Sequence, residues 1–154
     1  MTSAELDRSI ETWIRPIDKA SAVGIDCRHQ PIHSELLTEM SKLGSVTGGT
    51  VDWGHVIELG DRILSQKSKD LLVAVYLAHA LHRTQGLDGL TAGLSLIGRF
   101  LDTYGDSGFP PRQKARFNAL DWYLRYTIER LASTDIGAVE PERLARLAEA
   151  TVVL

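Results

Sequence analysis

Apolar residues recur along this chain at three- and four-residue intervals, with no run of strict alternation, and that period predicts helices throughout. Leu6, Ile10, Trp13 and Ile17 follow Thr2, which stands three residues before Glu5 at the spacing of a capping box. Pro16 disfavours helical backbone at Arg15 and ends this first helix near residue 15. Residues 16–30, interrupted by Pro16 and Gly24, read as a loop wrapping the bundle. Pro31 suits the first turn of a second helix, with Ile32, Leu36, Met40 and Leu43 on its inner face and glycines 44, 48 and 49 at its end. Asp52 is a good N-cap for a third, whose face is Trp53, Val56, Ile57, Gly60, Ile63 and Leu64.

A fourth helix follows, with Ser68 as its expected cap and Asp70 near the positive end of its dipole. From Leu71 to Leu81 it is apolar nearly all round, which predicts a helix at the middle of a bundle. Gly86 is a natural C′ residue for it. Leu87, Leu90, Leu94, Ile97 and Leu101 mark a fifth, which also holds Gly89, Gly93 and Gly98. Each glycine weakens a helix by roughly 1 kcal/mol relative to alanine, and a close approach of another backbone would account for keeping them. Asp106 to Pro111 is the clearest break. A long sixth helix begins near Pro111, with Phe117, Leu120, Leu124, Ile128 and Leu131 as its expected inward stripe. Trp122, Tyr123 and Tyr126 widen that stripe, and Asp121, Arg125 and Glu129 support a solvated side. Residues 133–139 connect to a last helix opened by Pro141, with Leu144, Leu147 and Ala148 inside.

The fold class expected is therefore all-α, a bundle of six to seven helices around a central buried helix at about 69–85. Residues 1–134 form the helical domain, and 135–154 form a C-terminal helix or the start of a linker to further domains. The ending Thr151-Val152-Val153-Leu154 reads as a cut within a longer protein.

Composition narrows the classes. With 154 residues, 44% of them hydrophobic, the chain can bury one core and is not a disordered segment. Seventeen basic against 20 acidic residues leave a net charge of −3, which gives no general attraction to nucleic acid or anionic lipid. A single cysteine, Cys27, excludes an intramolecular disulfide and a thiolate zinc cage, and suits a reducing cytosol. The N-terminal stretch has no basic-then-apolar leader, and residues 71–81 fall short of the roughly 20 needed to span a bilayer. A cytoplasmic location is expected.

Candidate chemistry is sparse. No phosphate-cradling glycine motif occurs. Cys27, His29 and His33 cluster in sequence, and His29 and His33 stand at an i,i+4 spacing that ligates metal when both share a helix face, but His29 precedes Pro31 and so lies outside the helix. His79 and His82 could serve as acid–base groups, yet their helix offers no neighbouring carboxylate, and a core-edge role suits them better. Glu35 and Glu39 are a like-charged i,i+4 pair expected on an exposed face. Arg112, Lys114, Arg116, Arg125 and Arg130 lie among aromatics in the best nucleic-acid candidate, but Asp121 and Glu129 share the segment. A ligand-binding, metal-binding or enzymatic domain using His79/His82 or Cys27/His29/His33 is thus the alternative to an interaction domain.

Two motifs carry a resemblance. Fourteen residues separate Trp53 from Ser68-Lys69-Asp70-Leu71, and residues 86–104 (GLDGLTAGLSLIGRFLDTY) are followed by Arg116-Phe117-Asn118-Ala119-Leu120-Asp121-Trp122. With Pro16-Ile17 and the run from Gly24 to Arg28, these resemble the ImpA-type N-terminal domain of TssA proteins of bacterial type VI secretion, over roughly residues 13–131. The resemblance implies a non-enzymatic, cytoplasmic assembly protein without cofactor. Its implied partners are baseplate, tail-tube, sheath or membrane-complex proteins, with homo-oligomers possible and no nucleic acid or small-molecule substrate. The motif residues, Trp53, Ser68, Lys69, Asp70, Leu71, Gly86, Gly89, Leu90, Gly93, Leu94, Arg116, Asn118, Ala119, Leu120 and Trp122, are expected to act mostly in maintaining the fold. Arg116 and Asn118 would hydrogen-bond loop carbonyls near Pro110-Pro111.

Overall fold

The computed structural model describes residues 1–152. Its helices are α1 (Ser3–Ile14), α2 (Pro31–Met40), α3 (Trp53–Gln66), α4 (Leu71–Tyr104), α5 (Gln113–Ala132) and α6 (Pro141–Val152), with a 3₁₀ turn at Ile136–Ala138. The chain is all-α: among the described residues β pairing is limited to isolated bridges, Gly24 with Ser68 and Asp70 with Phe109. Val153 and Leu154, half of the ending read as a cut, lie outside the described residues.

The expected caps are largely in place. Thr2 accepts from the Glu5 amide at 3.2 Å while its own amide donates to the Glu5 carboxylate, a complete capping box. Asp52 accepts from the His55 amide at 3.0 Å. The start of α4 differs from expectation. Asp70, not Ser68, is its N-cap, accepting from the amides of Leu72 at 2.9 Å and Val73 at 3.4 Å.

The expected fourth and fifth helices are the two arms of α4. They meet at Gly86, whose φ of 59° and ψ of −136° belong to a region open essentially to glycine alone. Here the chain reverses, and the arms pack together. A Cβ at Gly93 would lie 2.9 Å from the Ala78 Cβ and 3.0 Å from its carbonyl oxygen. One at Gly89 would lie 1.9 Å from the Leu81 oxygen. The glycines are kept because two backbones touch.

The first arm is the centre of the molecule, as its all-round apolar pattern predicts. Val73, Ala74, Val75, Leu77, Ala78, Ala80 and Leu81 have no exposed surface. Around the two arms pack α1, α3, α5 and α6, and α2 rests on α3. Ala150 of α6 is buried and Leu147 half-buried, whereas Ala148, expected inside, is exposed.

The inward face of α5 is not the expected one. Phe117, Leu124 and Ile128 are 65%, 52% and 64% exposed, while Ala119, Tyr123 and Thr127 face the core. The helix is apolar over more than half its circumference, so pattern alone leaves two faces open. The small Ala119 and Thr127 let the backbone of α5 come close to the bundle, with Tyr123 filling the space between them. The larger aliphatic side chains are turned outward.

Candidate functional site

Four of the family-motif residues, Ser68, Lys69, Asp70 and Leu71, lie at the connector between α3 and α4. On one side, Ile25 donates to the Lys67 carbonyl at 3.0 Å and Lys69 donates to the Val23 carbonyl at 2.8 Å. On the other, Phe109 donates to the Lys69 carbonyl at 2.8 Å and Leu71 donates to that of Phe109 at 2.7 Å. The loop after α1 thus clasps the connector from one flank, and the segment before α5 from the other.

Within this clasp Lys69 is fully buried. Its ammonium donates to the carbonyls of Trp13 and Leu64, both at 2.6 Å. Those oxygens belong to the last turns of α1 and α3, where the helix dipole is negative and carbonyls lack intrahelical partners. Tyr104 adds a third cap of this kind, its hydroxyl donating to the Ile14 carbonyl at 2.6 Å, and its ring lies 5.6 Å from the Lys69 ammonium. Burial pushes Lys69 down to about 8. Leu71, beside it, is buried.

Arg116 performs the role expected of it. Its guanidinium donates to the Pro110 carbonyl at 2.8 Å and to those of Gly105, Gly108 and Pro111, fixing the break between α4 and α5. Asn118, expected to share this role, is instead exposed and takes no part in this loop's hydrogen bonds. Leu90, Leu94 and Ala119 are buried, and Leu120 is half-buried.

Trp53 and Trp122 flank His79 with ring centroids at 5.2 and 5.3 Å, and Tyr126 completes the cluster at 5.7 Å. The Arg83 guanidinium stacks on the outer side of Trp53 at 5.1 Å. Desolvation first, then the positive charges of Arg83 and Arg130, holds His79 and His82 down at about 4. Both are buried and held neutral near pH 7. Trp122, Tyr126 and Tyr76, with Leu37, Met40 and Leu43, line a shallow hollow of about 220 Å³.

The remaining candidates separate. Glu35 is exposed and bonds His55 at 2.8 Å. Glu39, expected on an exposed face, is buried, accepting from Lys42 at 2.8 Å and from the Asp52 amide at 2.6 Å. Of the basic residues of α5 and its approach, Arg116 is turned onto the loop and Arg125 pairs with Asp121. Of the sequence cluster Cys27, His29 and His33, the structure brings Cys27 and His33 together in the core and leaves His29 exposed. Asp70, 43 residues from Cys27, joins them, a contact no sequence spacing announces. Burial, and next the Asp70 charge, pushes the Cys27 thiol up to about 11.

Comparison with known proteins finds a matching family and a similar solved structure. The family model described as ImpA, N-terminal, type VI secretion system matches residues 14–125. A solved structure is also similar: the N-terminal domain, including the conserved ImpA_N region, of the TssA component of the type VI secretion system from Burkholderia cenocepacia. It superposes with a TM-score of 0.70 at 25% sequence identity, over 78% of this chain and 48% of that one. The chain therefore spans about half the length of that relative. No curated protein gives a significant match. With most of its length matched, the chain belongs to the ImpA N-terminal family of type VI secretion.

Proposed function

We propose that this domain is a non-enzymatic docking module of a TssA-like assembly protein, acting in the cytoplasm on baseplate, tail-tube, sheath or membrane-complex components of the secretion apparatus. The observation that carries this reading is the outer face of α5. Phe117, Leu124 and Ile128 recur at helical spacing, each more than half exposed, and the half-buried Leu120 and Leu131 extend the stripe toward the core. Three large apolar side chains aligned along one helix are the pattern of a helix face used for protein contact. The polar candidates support a role without turnover. The thiol of Cys27 is buried and held in its protonated form, and both histidines of α4 are neutral and enclosed.

The test is affinity capture by the full-length parent protein from cells running a type VI system. Wild type is compared with a variant carrying Phe117→Asp, Leu124→Asp and Ile128→Asp. The expected result is recovery of at least one apparatus protein by wild type and its loss in the variant, with an unchanged helical circular dichroism spectrum. Equal recovery by both would remove this face from the docking role. Recovery of no apparatus protein by wild type would overturn the reading itself.

A further inference from the structure

We propose that Cys27, His33 and Asp70 form a buried structural site for a zinc-class divalent cation. The donor atoms of Cys27, His33 and Asp70 lie within 4.8 Å of one another. All are enclosed: Cys27 has no exposed surface, and His33 and Asp70 have 2% and 1%. Three separate elements supply them, the loop after α1, the first turn of α2 and the N-cap of α4.

Three observations point to a ligand rather than to ordinary packing. First, neither ring nitrogen of His33 has a hydrogen-bond partner, although the side chain is almost fully enclosed. Orphaned polar atoms at such depth are rare in folded proteins. Second, His33 Nε2 stands 3.4 Å from Asp70 Oδ2 without hydrogen-bond geometry. Zinc bonds of about 2.0–2.2 Å to nitrogen and oxygen place tetrahedral N and O ligands roughly 3.3–3.5 Å apart, which is the separation found. Third, the Asp70 carboxylate is divided in its use. Oδ1 caps α4, and Oδ2 remains on the His33 side.

The donor set selects the ion. Thiolate, imidazole and carboxylate together suit zinc and its spectroscopic substitute cobalt(II), and disfavour magnesium and calcium, which take oxygen ligands. Binding converts the Cys27 thiol to thiolate and releases its proton to solvent. The thiolate and carboxylate then neutralise the dication, so no net charge is left in the core. The ion would tie the loop after α1 to the starts of α2 and α4 and so reinforce the connector.

The experiment uses the whole chain, stripped with chelator, reloaded with zinc or cobalt(II) and desalted. We expect about one equivalent of retained zinc, a raised Tm that chelator reverses, and a thiolate-to-cobalt charge-transfer band. Cys27→Ala preserves a small apolar side chain in the core; it should remove the band and the retained equivalent while the chain stays folded. His29→Ala, altering an exposed histidine outside the site, should change neither. A folded wild type that retains no zinc, or a Cys27→Ala variant that retains as much as wild type, would overturn the assignment. Neither result bears on docking through α5.

Discussion

Lys69 and Asp70, adjacent in sequence, cap the ends of three different helices. The ammonium of Lys69 closes the carboxyl ends of α1 and α3, and the carboxylate of Asp70 closes the amino end of α4. A cation at negative helix ends and an anion at a positive one are each the stabilising choice. Two neighbouring side chains of opposite charge thus reach all three helix ends.

Replacing Lys69 by methionine keeps most of its volume and removes its donors. The Trp13 and Leu64 oxygens would then lose their buried partner, at roughly 1–3 kcal/mol for each group left unsatisfied. Lys69→Met should lower unfolding stability by about 2–6 kcal/mol in urea titration. Stability equal to wild type would show that water reaches those carbonyls.

Gly93 sits where the two arms of α4 touch. A methyl group there would press on Ala78 at 2.9–3.1 Å, and a branched side chain would force the arms apart. Gly93→Val should cost about 1–3 kcal/mol or more from overpacking, despite removing a glycine from a helix. Thermal unfolding gives the check. A neutral or stabilising effect would mean that the arms can separate freely.

His79 and His82 make the domain acid-sensitive. Their folded values, about 4, lie below the ordinary histidine value of 6.5. Between the two values the unfolded chain binds protons that the folded chain does not, so stability falls as pH drops from 6.5 toward 4 and is unaffected above that window. Each histidine contributes at most a few kcal/mol, on the order of 1.4 per unit of displacement. His79→Phe, which keeps the aromatic contacts with Trp53 and Trp122, should flatten the decline measured by urea midpoints across this range. An unchanged slope would place the sensitivity elsewhere.

The outer face of α5 should tolerate charge. Leu124 is 52% exposed, and substitutions at such sites away from special features change stability by about 0.5 kcal/mol or less. Leu124→Asp should therefore leave the urea midpoint almost unchanged, whereas Tyr123→Asp, one residue away and buried, should unfold the domain. Similar losses from both would mean that the stripe packs within the chain.

Much of the fold is legible in the amino-acid sequence, because its signals are local. The Thr2–Glu5 box, the cap at Asp52, the reversal at Gly86 and the close contact at Gly93 each follow from a residue type in one position. Ser68 and Asp70 are less separable, since both are good caps and stand two residues apart. The deciding fact is that the backbone of Ser68 and Asp70 is held in bridges to Gly24 and Phe109, which only the tertiary structure supplies, so the helix begins at Leu71 and Asp70 falls at its cap. The face of α5 is ambiguous for a different reason. Its apolar surface is wider than one interface needs, and size rather than hydrophobicity selects the buried side. The meeting of Asp70 with Cys27 and His33 joins residues more than 35 positions apart, and local pattern carries no trace of it.

The reversal at Gly86 also bears on how folding begins. At 1.5 Å per residue, an unbroken α4 would be a rod of about 50 Å. Bent back on itself, it forms its central contacts between residues as near in sequence as Ala78 and Gly93. The loop that must close is short, so its entropic cost comes early and is small. Relative contact order at the centre of the domain is therefore low, and a 34-residue hairpin can serve as the nucleus on which α1, α3, α5 and α6 condense. Folding rate should depend on substitutions along the hairpin, while changes at the Lys69 connector, which joins distant segments, should act mainly on unfolding.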